Sequence, residues 1–163
     1  MALVADRDGV KEGVKIVARN RKARHDYEVL EEHEAGLVLR GAEVKSLREG
    51  RASFTDSFAR VDSGEAWLHN LHIAPYEMAS RDAPDPVRPR KLLLNRREIE
   101  RLRSKTQESG LTIVPLDIHF RRGRAKVQLG LARGKKRYDR RETLKKKAMQ
   151  READRAVREA ERG

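Results

Sequence analysis

The chain has 163 residues, with 38 Lys and Arg against 26 Asp and Glu, a formal net charge of +12, and only 4% aromatic residues. That length suits one domain with a modest, mostly aliphatic core plus an appendage. The absence of cysteine excludes disulfides and thiolate metal sites, no apolar run approaches a membrane span, and the basic balance points to nucleic acid first and an anionic membrane surface second.

Residues 1–13 read as a polar leader without a signal-peptide core, so a cytoplasmic protein is expected. Val14 to Ala18 is a short apolar run that can add an edge strand. Arg19 to His25 (RNRKARH) is a basic cluster without periodicity, either a solvated loop or a loop that contacts phosphates. Asp26 to Arg40 alternates and is interrupted at Gly36, which suits two strands or one long strand bent at a bulge. Glu34 stands beside that interruption, either as a local salt-bridge partner or as an acceptor for base edges.

After Gly41, AEVKSLREG has the pattern of a short helix ending at Gly50, with Val44 and Leu47 plugging one end of a sheet. Phe54, Phe58 and Val61 lead into the turn Asp62-Ser63-Gly64-Glu65, and Ala66 to Ile73 returns as a strand, giving a hairpin. Trp67 is expected to pack. His69 and His72, at i,i+3, fall on opposite strand faces and do not suggest a metal site. Ala79 to Arg90 holds three of the five prolines and reads as a loop too polar to pack. Asn95 is placed to cap a helix over RREIERLRSKTQES, ended by Gly110, with Ile99 and Leu102 inward and a basic outer side. Leu111 to Phe120 is a strand in which Pro115 marks an edge or a bulge. Arg121 to Arg124 is a turn, and Ala125 to Ala132 is a strand with Val127, Leu129 and Leu131 inward.

The fold expected from this order is mainly β: a small OB-like antiparallel barrel of about six strands with two or three helices. A split α+β sheet covered by the helices is the second choice. The expected division is a leader over 1–13, a barrel over 14–132 and a basic tail over 133–163.

More than half of the net charge lies in that tail. Its composition cannot bury enough surface to order it alone, yet its residues favour helix. Asp139 and Glu142 form a capping-box pattern, and Glu142–Lys146 and Asp154–Arg158 stand at i,i+4. A conditional helix is expected, formed when a shaped polyanion receives it. Nothing in the chain matches a nucleotide-binding loop, a nucleophile elbow or a carboxylate pair for Mg²⁺. Asp117 and His119, at i,i+2 on one strand face, could form an acid–base pair but read as solvated. Binding without catalysis accounts for more of the chain: dispersed cations for phosphate, and Tyr138 among Lys and Arg as a stacking residue.

Several segments stand in an order that resembles the SsrA-binding protein family (small protein B, SmpB): ARHDYEVLEEHEAGLVLRGAEVKSLREG, ASFTDSFA, LHIAPYE, DPVRPRKLLLNRREIERL, GLTIVPLDIHF and GRAKVQLGLARGKKRYDRRE. The resemblance implies an OB-like barrel that binds the tRNA-like domain of transfer-messenger RNA, without catalysis and with no cofactor or metal. It implies promotion of that RNA's aminoacylation by alanyl-tRNA synthetase and delivery with EF-Tu to stalled ribosomes. It also implies a tail that enters the empty messenger channel near the small-subunit decoding centre. A general ribosomal or structured-RNA-binding OB-fold protein is the alternative.

Carried over from the resemblance, the RNA-binding residues are Asn20, Arg24, His25, Glu34, Leu93 and Asn95, with Lys91 added to them on its charge. The ribosome-facing residues are Gly134, Lys135, Lys136, Tyr138, Asp139, Arg140 and Arg141. Arg140 replaces the family's lysine in the D-K-R signature, which keeps the charge but changes the donor geometry.

Overall fold

The computed structural model describes residues 13–76, 83–135 and 148–158. The expected leader therefore lies outside the described residues, apart from Gly13. The chain divides into two units, Met1–Arg133 and Gly134–Gly163.

In the first unit the elements run β1 (Val14–Arg19), α1 (Arg21–Asp26), β2 (Tyr27–Leu37), α2 (Gly41–Arg48), β3 (Ala52–Ser53), β4 (Phe58–Asp62), β5 (Glu65–His69), β6 (His72–Ile73), β7 (Arg90–Leu93), α3 (Arg96–Ser109), β8 (Thr112–Arg121) and β9 (Arg124–Gly134). Six strands close a ring in the order β8-β4-β5-β7-β2-β9 and back to β8; β1 adds to β8, and β3 pairs with β6 in a separate ribbon. This is the barrel expected from the strand pattern, and closure leaves the ring no free edge.

β8 is the seam. Its first half pairs Ile113 with Ala59 of β4, its second half pairs with β1, and β9 runs along its other side. Pro115 therefore marks a bulge in an interior strand rather than an edge. The register with β9 shifts between Pro115 and Asp117, so the missing proline N–H falls where the ladder is already irregular.

The inward rows are aliphatic, as the alternation of β9 predicts. Val127, Leu129 and Leu131 are buried with Ile113, Ile118, Leu68, Leu92 and Ala35. Leu47 of α2 and Leu102 of α3 are fully enclosed in the same core. A Cβ at Gly130 would stand 3.1 Å from the Leu116 side chain, which would have to give way to it.

Two hairpins turn on two residues with positive φ, Ser63-Gly64 and Arg122-Gly123, as tight antiparallel turns require. α3 begins and ends where expected: the Asn95 side chain accepts the Glu98 N–H at 2.9 Å, and Gly110 is left-handed.

Three expectations change, and one choice between alternatives is decided. The Arg19–His25 cluster is not a loop: residues Arg21–Asp26 form a helix. Asn20 caps it by accepting the Ala23 N–H at 3.2 Å, and Ala23 is buried. A helix this short shows no periodicity in sequence. Of the two readings of Asp26 to Arg40, the single long strand is the one found, β2; a Cβ at Gly36 would meet the Leu93 Cβ at 3.1 Å, so the glycine admits its neighbour. The strand expected over Ala66–Ile73 is two, β5 and β6, divided at Asn70 with φ 59°. His69 and His72 thus lie in different sheets.

The third change is Arg90, assigned to a loop too polar to pack. It is fully buried in β7. Its Nε donates to Glu43 Oε2 at 2.7 Å and its other nitrogens to the carbonyls of Leu71 and Pro86. Arg88 also donates to both Glu43 oxygens, and Glu43 Oε1 accepts the Arg40 N–H at 2.9 Å. The carboxylate of α2 thereby fastens residues 83–90 to the barrel.

In the second unit, residues 148–158 are helical, with every residue exposed. Gln150 donates to Asp154 one turn on at 3.1 Å. The expected helix start at Asp139 and Glu142 lies outside the described residues. Among the described residues no helix is long and apolar enough to cross a membrane.

Candidate nucleic-acid interface

β2, the longest strand with β9, sends its two faces to different tasks. Glu31 and His33 point to α3. Arg101 donates to Glu31 at 2.7 and 2.8 Å, and His33 joins Glu31 at 2.8 Å to Glu98 at 2.9 Å. The hydrogen bonds from Arg101 and His33 hold the Glu31 carboxyl down to about 2. These contacts lock the helix whose cap is Asn95.

Glu32 and Glu34 point the other way. Glu32 lies 3.4 Å from Arg24. Glu34 accepts from His119 Nε2 at 2.8 Å and from Arg121 Nε at 3.1 Å. His119 Nδ1 meets Asp117 Oδ1 at 2.6 Å. With a carboxylate on each ring nitrogen, His119 fits as the doubly protonated imidazolium, donating both ways. It is only 4% exposed, so the expectation that Asp117 and His119 are merely solvated is wrong. Burial opposes the charge on both His119 and Glu34. The mutual hydrogen bonds outweigh it, raising His119 above its ordinary 6.5 and holding Glu34 below 4.5. Two anions, Asp117 and Glu34, thus balance two cations, His119 and Arg121.

This cluster has a stability signature. A raised histidine pKa gives stabilisation that is complete below 6.5 and disappears as pH rises through the folded value. A lowered carboxylate gives stabilisation that is complete above 4.5 and disappears as pH falls. Thermal unfolding from pH 5 to 9 should show the melting temperature falling above pH 6.5, and His119→Gln should flatten that decline. A decline of equal slope in His119→Gln would rule the cluster out as its source.

α1 lies against the same side of the barrel. The Asn20 side chain donates to the Pro115 carbonyl at 2.8 Å and its backbone N–H donates to the Leu116 carbonyl at 2.8 Å, at the bulge of β8. Val114, Leu116, Ala23 and Ala132 form a second small core there, with Tyr27 and Val29 against it. The anchored helix holds Arg24 and His25 outward, their side chains 57% and 88% exposed.

On the other side of Glu34, Leu93 is the cross-strand partner of Gly36 and is 56% exposed. Cross-strand partners share a face, as do residues at i,i+2. Glu34, Gly36, Leu93 and Lys91 therefore share one outward surface.

The structure thus brings Glu34, Leu93 and Lys91 onto one face, and anchors Asn20, Arg24 and His25 beside Glu34's partners on β8. Asn95 lies past Leu93 and holds the start of α3. Gly134 ends β9 and Lys135 follows it; Lys136, Tyr138, Asp139, Arg140 and Arg141 lie outside the described residues. Sequence reasoning missed His119 and Arg121 as Glu34's partners. The only signal was the shared face of Asp117, His119 and Arg121, which does not say which strand supplies the facing carboxylate. Among the described residues, no group of three or more His, Cys, Asp or Glu is arranged to hold a metal ion.

The model of the family described as "SmpB protein" matches residues 17–159. The SsrA-binding protein of Geobacillus thermodenitrificans is 55% identical over 91% of this chain and 96% of its own length. That of Carboxydothermus hydrogenoformans is 56% identical over 88% and 97%, and that of Streptomyces avermitilis 56% over 94% and 87%. A solved structure described as "tmRNA-SmpB: a journey to the center of the bacterial ribosome" is 58% identical. It covers 76% of this chain and 85% of its own, with a TM-score of 0.63. With a family match across nearly the whole chain and more than half of the aligned residues shared, the chain belongs to the SmpB family of SsrA-binding proteins.

Proposed function

We propose that this chain is a non-catalytic RNA-binding factor of trans-translation. It binds the tRNA-like domain of transfer-messenger RNA, favours its aminoacylation by alanyl-tRNA synthetase, and accompanies it with EF-Tu to stalled ribosomes in the cytoplasm. The barrel over 14–132 holds the RNA. The tail over 133–163 enters the empty messenger channel, with Tyr138 stacking near the decoding centre, and is consolidated as helix there. The names of the relatives, SsrA-binding proteins, and the ribosomal setting of the related structure support this reading.

The observation that carries it is the environment of Glu34. An exposed carboxylate repels a phosphate backbone, but here His119 and Arg121 neutralise it. Its remaining lone pairs can accept from a base edge or a 2′-hydroxyl, while Arg121, Arg24 and Lys91 supply phosphate contacts around it.

Competition binding at fixed, near-physiological salt tests the reading, since low salt lets any basic protein bind any RNA. The full chain should prefer a tRNA-like transcript over a structured RNA of equal length. Glu34→Ala should weaken that binding by about ten-fold, the worth of a hydrogen bond to a charged group. No preference between the two RNAs would favour a general structured-RNA-binding protein instead. Asn95→Ala should also weaken binding, and because it uncaps α3 it should lower stability by about 1 kcal/mol as well.

A further inference from the structure

The outward face of the barrel continues past Leu93 and Lys91. Antiparallel pairing sets Arg60 of β4 opposite Trp67 of β5, and Trp67 opposite Lys91 of β7; the Val38 N–H then donates to the Lys91 carbonyl. These cross-strand partners form one row on one face. Trp67, expected to pack, is half-buried, while the inward row beneath it is Ala66 and Leu68. The next outward row pairs Phe58 with His69. Their rings stack with centroids 5.2 Å apart and planes 19° apart, and Phe58 is 36% exposed. Beyond β4 an open cleft of about 360 Å³ lies between Phe58 and Arg60 on one side and Arg103 and Gln107 of α3 on the other. The acidic residues of this face, Asp62 and Glu65, sit together at the hairpin end, and Glu65 is 3.4 Å from Lys91.

A chain with 4% aromatic residues has few to spare. Leaving Trp67 and Phe58 partly open, with a cation on each side of the tryptophan, is a poor use of them for packing. It is the arrangement that receives nucleobases: π faces for stacking, guanidinium and ammonium groups for the phosphates between them. We propose that the outward face of β4, β5 and β7 is a stacking platform for unpaired nucleotides of the RNA this protein binds. The platform extends the Glu34–Leu93 surface and so rests on the RNA-binding reading above.

Trp67 is the only tryptophan of the chain, so its emission reports this face directly. The full-length protein is titrated with end-labelled tRNA-like transcript, reading RNA anisotropy and Trp67 emission in the same cuvette. Quenching of Trp67 should follow the anisotropy curve. Phe58→Ala and Arg60→Ala should each weaken binding by roughly ten-fold, Phe58→Tyr should restore it, and circular dichroism should show all three folded. An anisotropy rise with Trp67 silent, or with affinity unchanged in both Phe58→Ala and Arg60→Ala, overturns the platform while leaving the Glu34 surface standing. No anisotropy change in the unsubstituted protein overturns both.

Discussion

Glu43→Ala should lower the stability of the barrel by about 3–5 kcal/mol, the cost of removing one partner from a buried ion pair. Glu43 is 3% exposed and takes hydrogen bonds from Arg88, Arg90 and the Arg40 backbone. Burial opposes its charge, but those bonds more than compensate and hold it below 4.5. Without it the two arginines fare differently. Arg88, with a side chain 23% exposed, can turn toward water, whereas Arg90 is fully buried and stays as an uncompensated cation. The Arg88→Ala loss should therefore be the smaller. Replacing Glu43 and Arg90 together by leucine and methionine should recover much of the loss, because an apolar pair of similar volume needs no neutralisation. Urea unfolding of the three variants beside the unsubstituted protein measures these losses. A Glu43→Ala loss below about 1 kcal/mol, the range of an exposed pair, would show that the knot is already open to solvent.

That knot also marks what the sequence can reveal. The features that were legible are those a single segment determines. Asn95 and Gly110 bound α3 because a cap and a left-handed stop act on their own helix. Alternation over Val127, Leu129 and Leu131 decides which face of β9 is core. Glu43 with Arg90 and Glu34 with His119 are separated by 47 and 85 positions, and nothing in either segment names the other. Resemblance to a family could point to Glu34, but not to how a carboxylate would be tolerated at the proposed RNA surface, which depends on the β8 residues that neutralise it. The half-burial of Trp67 was hidden for a related reason: periodicity assigns a face within a strand, while closure of the ring decides which face is outside.

Replacing Asp139, Arg140 and Arg141 together with alanine should stop peptide tagging on stalled ribosomes while leaving affinity for the tRNA-like RNA within about two-fold. Two cations and one anion are removed, a net loss of one charge, so the counterion term in binding changes little. The surface proposed to hold that RNA lies in the first unit. The tail is expected to be far more sensitive. Residues 148–158 expose every side chain, so local terms rather than packing carry the helix there. An N-cap worth about 1 kcal/mol matters most in such a helix, and Asp139 is where the sequence places that cap. Arg140 and Arg141 would meet phosphate just as the tail enters its channel. By the same logic, reordering residues 148–158 with composition and charge kept should preserve tagging. Tagging in a reconstituted translation system, read beside RNA anisotropy, decides. Loss of RNA affinity in the triple variant would mean that the tail and barrel share one binding task, and loss of tagging in the reordered tail would mean that its individual side chains are read.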